Sequence, residues 1–67
     1  MTVKRIFVKN IKKWSIFYLH NDTRFLGILV ERNSSHKRYL PLDNPEEFER
    51  QFESLPKYLQ KEILELI

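Results

Sequence analysis

The sequence predicts an α+β fold: a small antiparallel β-meander of three to four strands, packed on one face by a C-terminal kinked helix or two short helices. Three observations carry this. The first half is rich in β-branched and aromatic residues broken by polar turns. The second half opens on a helix-start signal, Asn44-Pro45-Glu46-Glu47. Its apolar residues then recur at helical rather than strand spacing. The 67 residues give room for one domain, expected to span 1–67, with a basic β-meander over 1–42 and an acidic helical segment over 43–67.

The elements follow in order. Val3-Lys4-Arg5-Ile6-Phe7-Val8-Lys9 favours a strand by its β-branched content, although Val3, Phe7, Ile11 and Trp14 also fall on a helical stripe. Trp14–His20 and Arg24–Arg32 read as strands. Asn21-Asp22-Thr23 between them tolerates the left-handed backbone of a tight hairpin, which pairs the two strands antiparallel. Asn33-Ser34-Ser35-His36 is a second turn cluster, and Lys37–Leu40 a short third strand closed by Pro41. Asn44 can cap a helix, Pro45 suits its first turn, and Glu47 can complete a capping box. Phe48, Phe52 and Leu55 form the inward stripe. Pro56 interrupts it, because a proline inside a helix forfeits a hydrogen bond. Leu59, Ile63 and Leu66 make the next apolar face, flanked by Tyr58 and Ile67.

Composition removes several function classes. There is no cysteine, hence no disulfide framework, thiolate metal site or cysteine nucleophile, and a cytoplasmic home is expected. The longest apolar runs, Ile16–Leu19 and Phe25–Val30, fall far short of the roughly 20 residues a membrane span needs. Met1-Thr2-Val3-Lys4-Arg5 is followed by interspersed lysines, unlike a secretory signal. A single glycine rules out a glycine-rich phosphate loop. His20 and His36 fall at predicted turns, where solvated imidazoles are the plain expectation, even with Asp22 near His20. Ser15, Ser34, Ser35 and Ser54 lack a nucleophile elbow. No recognised metal-ligand spacing is present. The expectation is a non-enzymatic protein without cofactor or metal.

Charge is the most informative feature. Residues 1–40 hold nine basic and two acidic side chains, net +7, while residues 41–67 hold three and seven, net −4. Such segregation suits an anionic partner at the basic half. Lys9, Lys12 and Lys13 crowd one strand end, and Arg32, Lys37 and Arg38 another, with aromatics interleaved. The leading expectation is therefore a small nucleic-acid-binding module. These six residues would contact phosphates, Arg24 less so, and Trp14 or Tyr18 would stack if exposed. At the level of architecture alone, a three-stranded sheet backed by one C-terminal helix resembles small domains that lay a sheet into the DNA major groove. No motif here matches such a family.

A second expectation belongs to a different class. The central strands are apolar on both faces: simple alternation sends Leu26, Ile28 and Val30 one way and Phe25 and Leu29 the other. An uncovered apolar face would suit a protein partner or self-association. The chain would then be a small regulator or inhibitor, of the kind phages and mobile elements encode. The outer helix face, with Glu46, Glu49 and Glu53, reads as solvated.

Overall fold

The computed structural model describes residues 3–33 and 35–67. Ser34 of the second turn, and Met1 and Thr2 of the N-terminal reading, lie outside the described residues. Four strands, β1 (Val3–Ile11), β2 (Trp14–Asn21), β3 (Arg24–Arg32) and β4 (His36–Pro41), are followed by α1 (Pro45–Glu53) and α2 (Lys57–Leu66). The strands form one antiparallel sheet in the order β1-β2-β3-β4. The α+β expectation holds. The N-terminal segment is a strand, and Pro56 separates two helices rather than bending one.

Both helices lie on the same face of the sheet. Trp14 and Ile16 of β2, Ile28 and Val30 of β3, and Leu40 of β4 form one buried cluster with Leu55, Leu59 and Ile63. Each fully buried aliphatic side chain of this kind stabilises the fold by about 1.5–3 kcal/mol. Arg38 Nε donates to Ser54 Oγ at 3.1 Å, which ties β4 to the end of α1. Lys9 meets Glu62 at 3.3 Å and the Tyr18 hydroxyl reaches the Leu66 carbonyl at 3.5 Å, which lays α2 over β1 and β2.

The helix signals work as the residue chemistry requires, with one difference. Asn44 Oδ1 accepts from the Glu47 amide at 3.2 Å, and Pro45 occupies the first turn. Glu47, however, turns along the helix, its carboxylate taking Gln51 Nε2 at 2.7 Å and Arg50 at 3.1 Å. Asn44 thus carries the cap through its own side chain. Asn44→Ala should cost about 1 kcal/mol, visible as a lower midpoint in urea unfolding with an unchanged slope.

Two β-bulges set which side chains face which way. In β1 the pairing jumps from Phe7↔Phe17 to Lys9↔Ile16, leaving Val8 as the extra residue. In β3 it jumps from Leu19↔Gly27 to His20↔Phe25, leaving Leu26 extra. A bulge reverses the alternation beyond it. The expectation that Phe25 and Leu29 share a face is therefore corrected. Leu29 pairs with Phe17 on the face away from the helices. Phe25 turns to the helix side, edge-on to Tyr18 with ring centroids 5.2 Å apart and the His20 ring also at 5.2 Å.

Gly27 is required by close approach. A Cβ there would run into the Leu40 carbonyl oxygen and lie 3.1 Å from the Tyr39 ring. The Tyr39 ring takes that space, and its hydroxyl donates to the Leu26 carbonyl at 3.2 Å.

Candidate nucleic-acid interface

The meander brings two separate turns to the same end of the sheet. Ile11 pairs with Trp14, Trp14 with Arg32 and Arg32 with His36, so one row crosses all four strands there. Beyond that row lie the Lys12-Lys13 turn and the turn that follows Arg32. Lys12, Lys13, Arg32, Lys37 and Arg38 thus reach the same end, although up to 26 positions separate them in the chain; Lys37 lies on the open face, and Arg32 and Arg38 lie on the helix side with Trp14 and Val30. Lys57 and Tyr58 open α2 at the same end, because Lys12 Nζ lies 4.5 Å from the Tyr58 ring centroid. The first turn of α2 has no acidic residue, so its positive dipole end adds to the field. Glu31 is the carboxylate ion-paired at this end, with Lys37 at 3.6 Å.

Local structure positions each cation. Lys12 and Lys13 have φ of 46° and 75°, the backbone of a two-residue type I′ turn. Such turns favour Asn-Gly, because side chains with a Cβ resist the left-handed region. Two consecutive lysines held there are locally strained, and strain of this kind collects at functional sites. The Arg32 guanidinium sits 5.9 Å from the Trp14 ring centroid. Arg38 also donates to the Lys37 carbonyl at 3.1 Å, and Lys37 Nζ lies 3.6 Å from Glu31 Oε2.

Not every expected residue belongs to this end in the expected way. Lys9 points to the helix side and is held by Glu62, so its ammonium already has a carboxylate partner. Arg24 lies at the opposite end, beside a shallow cavity it lines with Phe25, Leu26, Leu42 and Asp43. Trp14 is only 6% exposed and belongs to the core, and Tyr18 packs against that core from the helix side. Neither ring is offered to a base. Leu29 is half-buried on the open face, and Phe25 lies on the other side because of the Leu26 bulge.

No family model, curated protein or solved structure matches the chain. Chemistry on the surface is thus the guide to function. Among the described residues no three His, Asp or Glu side chains gather as a metal site. His20 and His36 sit at opposite ends of the sheet, and His36 Nδ1 shares a 3.1 Å contact with Ser35 Oγ. No helix formed by the described residues is long and apolar enough to cross a membrane.

The open face carries Leu29, as alternation expected, and joins it to Phe7 and Tyr39 from the outer strands. Phe7, Phe17, Leu29 and Tyr39 are successive cross-strand partners, making one row across all four strands. Phe7 is 54% and Tyr39 39% exposed. Phe7 meets Phe17 edge-on at 5.7 Å, and the Arg5 guanidinium lies 4.4 Å from the Phe17 centroid. Arg5 also reaches Glu31 Oε1 at 3.0 Å, so Glu31 bridges Arg5 and Lys37. Partial burial and the nearby Asp43 carboxylate raise the Tyr39 phenol above its ordinary pKa, keeping it neutral across the physiological range. The signal for this row was present in the alternation of β2 and β4, but the Val8 bulge hides the parity of β1.

Proposed function

We propose that this protein is a non-enzymatic nucleic-acid-binding module that holds phosphates at the basic end of its sheet. The observation that carries the reading is the convergence of Lys12, Lys13, Arg32, Lys37 and Arg38 from two turns. Lysine and arginine neutralise phosphates and release condensed counterions, and that release drives sequence-independent affinity. Several of these cations are also steadied by rings or carbonyls, which lowers the entropy lost on contact. Lys9 contributes little, because it turns to the helix side and is paired there with Glu62 of α2, whereas Lys37, though paired with Glu31, is the more exposed of the two.

The test compares two charge reversals of equal size at opposite ends of the molecule. Trp14 fluorescence reports binding, since Arg32 lies against its ring. Lys13→Glu should weaken binding to an oligonucleotide about tenfold or more and lower the salt slope. Arg24→Glu should change affinity only a few-fold, through net charge alone. Equal losses for the two variants would refute a localised phosphate site.

A further inference from the structure

We infer that the nucleic acid recognised is single-stranded and that its bases lie across the open face of the sheet, on the row Phe7–Phe17–Leu29–Tyr39. This rests on the nucleic-acid reading above and adds the class of ligand. The row spans about 14 Å at the usual spacing of about 4.8 Å between strands. Among the described residues no helix packs over it, because both helices occupy the other face, and the Arg5 guanidinium lies over the Phe17 ring. An apolar, partly exposed row with three aromatic rings offers stacking surface at Phe7 and Tyr39, and every base has a π-face to meet it. Arg5 extends the platform, since a guanidinium over a ring is itself a surface on which bases stack.

Two features favour a single strand over a duplex. A duplex presents base edges, and its base faces are hidden within the stack. Reading edges takes donors and acceptors along the sheet. The two rows crossing the middle of this face instead carry Phe7, Phe17, Leu29 and Tyr39, and then Arg5, Leu19, Gly27 and Pro41. Only Arg5 and Tyr39 among these eight carry a polar side-chain group, and the Tyr39 hydroxyl already donates to the Leu26 carbonyl. An unpaired strand has the faces this surface can use.

The neighbouring row explains why the ligand is anionic rather than an apolar protein segment. Asn10, Ser15, Glu31 and Lys37 form it, and the Lys12-Lys13 turn lies just beyond. A strand whose bases cover the aromatic row can place its phosphates on Lys37 and the lysine turn. Glu31 now occupies Arg5 and Lys37 at 3.0 and 3.6 Å. A phosphate arriving there competes with this carboxylate, so Glu31 restrains affinity.

The experiment uses the full chain and two labelled probes, an oligothymidylate of about a dozen nucleotides and a mixed-sequence duplex of equal length. The single strand should bind at least about tenfold more tightly at the same salt. Phe7→Ala should weaken single-strand binding roughly tenfold and leave duplex binding unchanged, while Phe7→Trp retains it. Glu31→Gln should tighten binding several-fold. Thermal melts of each variant confirm that the fold persists, and Phe7→Trp guards against a loss caused by repacking. Equal affinity for the two probes, with Phe7→Ala indifferent, would overturn the inference and leave phosphate binding at the basic end intact. Binding of neither probe at low salt would overturn both readings. Concentration-dependent self-association abolished by Phe7→Ala would then assign the row to a second copy of the chain.

Discussion

Replacing Lys12-Lys13 with Asn-Gly is expected to make the protein more stable and a poorer binder. Both lysines sit at positive φ. A residue with a Cβ in the left-handed region costs about 1–2 kcal/mol, and Asn-Gly is the pair that type I′ turns favour. Against that gain stands the loss of the Lys12 contact with the Tyr58 ring, about 0.5–1 kcal/mol at an exposed site. Relief of strain is the larger effect, so the net gain should be about 1 kcal/mol or more. Removing two phosphate contacts should lower the salt slope by about 1.4 for a single strand and weaken binding more than tenfold. The two readouts move in opposite directions, so unfolding cannot account for the loss of binding. Urea unfolding and an oligonucleotide titration on the same sample check both. A variant that bound as tightly as the parent would remove this turn from the site.

The second large effect concerns the core. Leu59→Ala should destabilise by about 2–5 kcal/mol, because it opens a cavity in a side-chain cluster that water does not reach. Leu59 is 0% exposed. A chain of this length has a total stability of roughly 3–10 kcal/mol, so the variant should be marginally folded at best. Leu64→Ala is the matched control: the same helix and the same change, at a residue 63% exposed. Its effect should stay within about 0.5 kcal/mol. Chemical denaturation of the pair separates burial from helix propensity, since propensity changes equally in both. Similar losses for the two would contradict the assignment of the α2 inner face.

Much of this fold was legible in the residues because local and global signals agree. Asn44, Pro45 and Pro56 mark the start of one helix and an interruption after it through local chemistry, while the choice between a kink and two separate helices is decided only by the structure. The apolar stripes of both helices point where their spacing says. The candidate site was harder to read. The basic residues were recognisable, but their convergence depends on strand order and register. Lys9 looked equivalent to Lys12 and Lys13 until α2 placed Glu62 beside it, a contact across 53 positions.

The bulges account for the remaining differences. Val3, Phe7, Ile11 and Trp14 imitate a helical stripe, yet all four lie in strands. Val3 and Phe7 face away from the helices, whereas Ile11 and Trp14 face them, because Val8 shifts the parity between the two pairs. Leu26 does the same for Phe25 and Leu29. A single inserted residue leaves little compositional trace, since Val8 and Leu26 suit a regular strand equally well. Apolar residues on both faces of β2 and β3 removed the contrast that would otherwise reveal the parity. The place of Phe7 in the row on the open face could for this reason be identified only from the pairing.

The central claim, that an anionic polymer is held by phosphate contacts at the basic end, is tested most directly by the salt dependence of binding. A labelled oligothymidylate would be titrated with the protein, with anisotropy read at about 50 mM and about 200 mM monovalent salt. Phosphate contacts with Lys12, Lys13 and Lys37 predict an affinity that falls roughly twentyfold across that range, rising to roughly a hundredfold if the strand also reaches Arg32 and Arg38. No binding at the lower salt, or an affinity that hardly changes between the two, would contradict it.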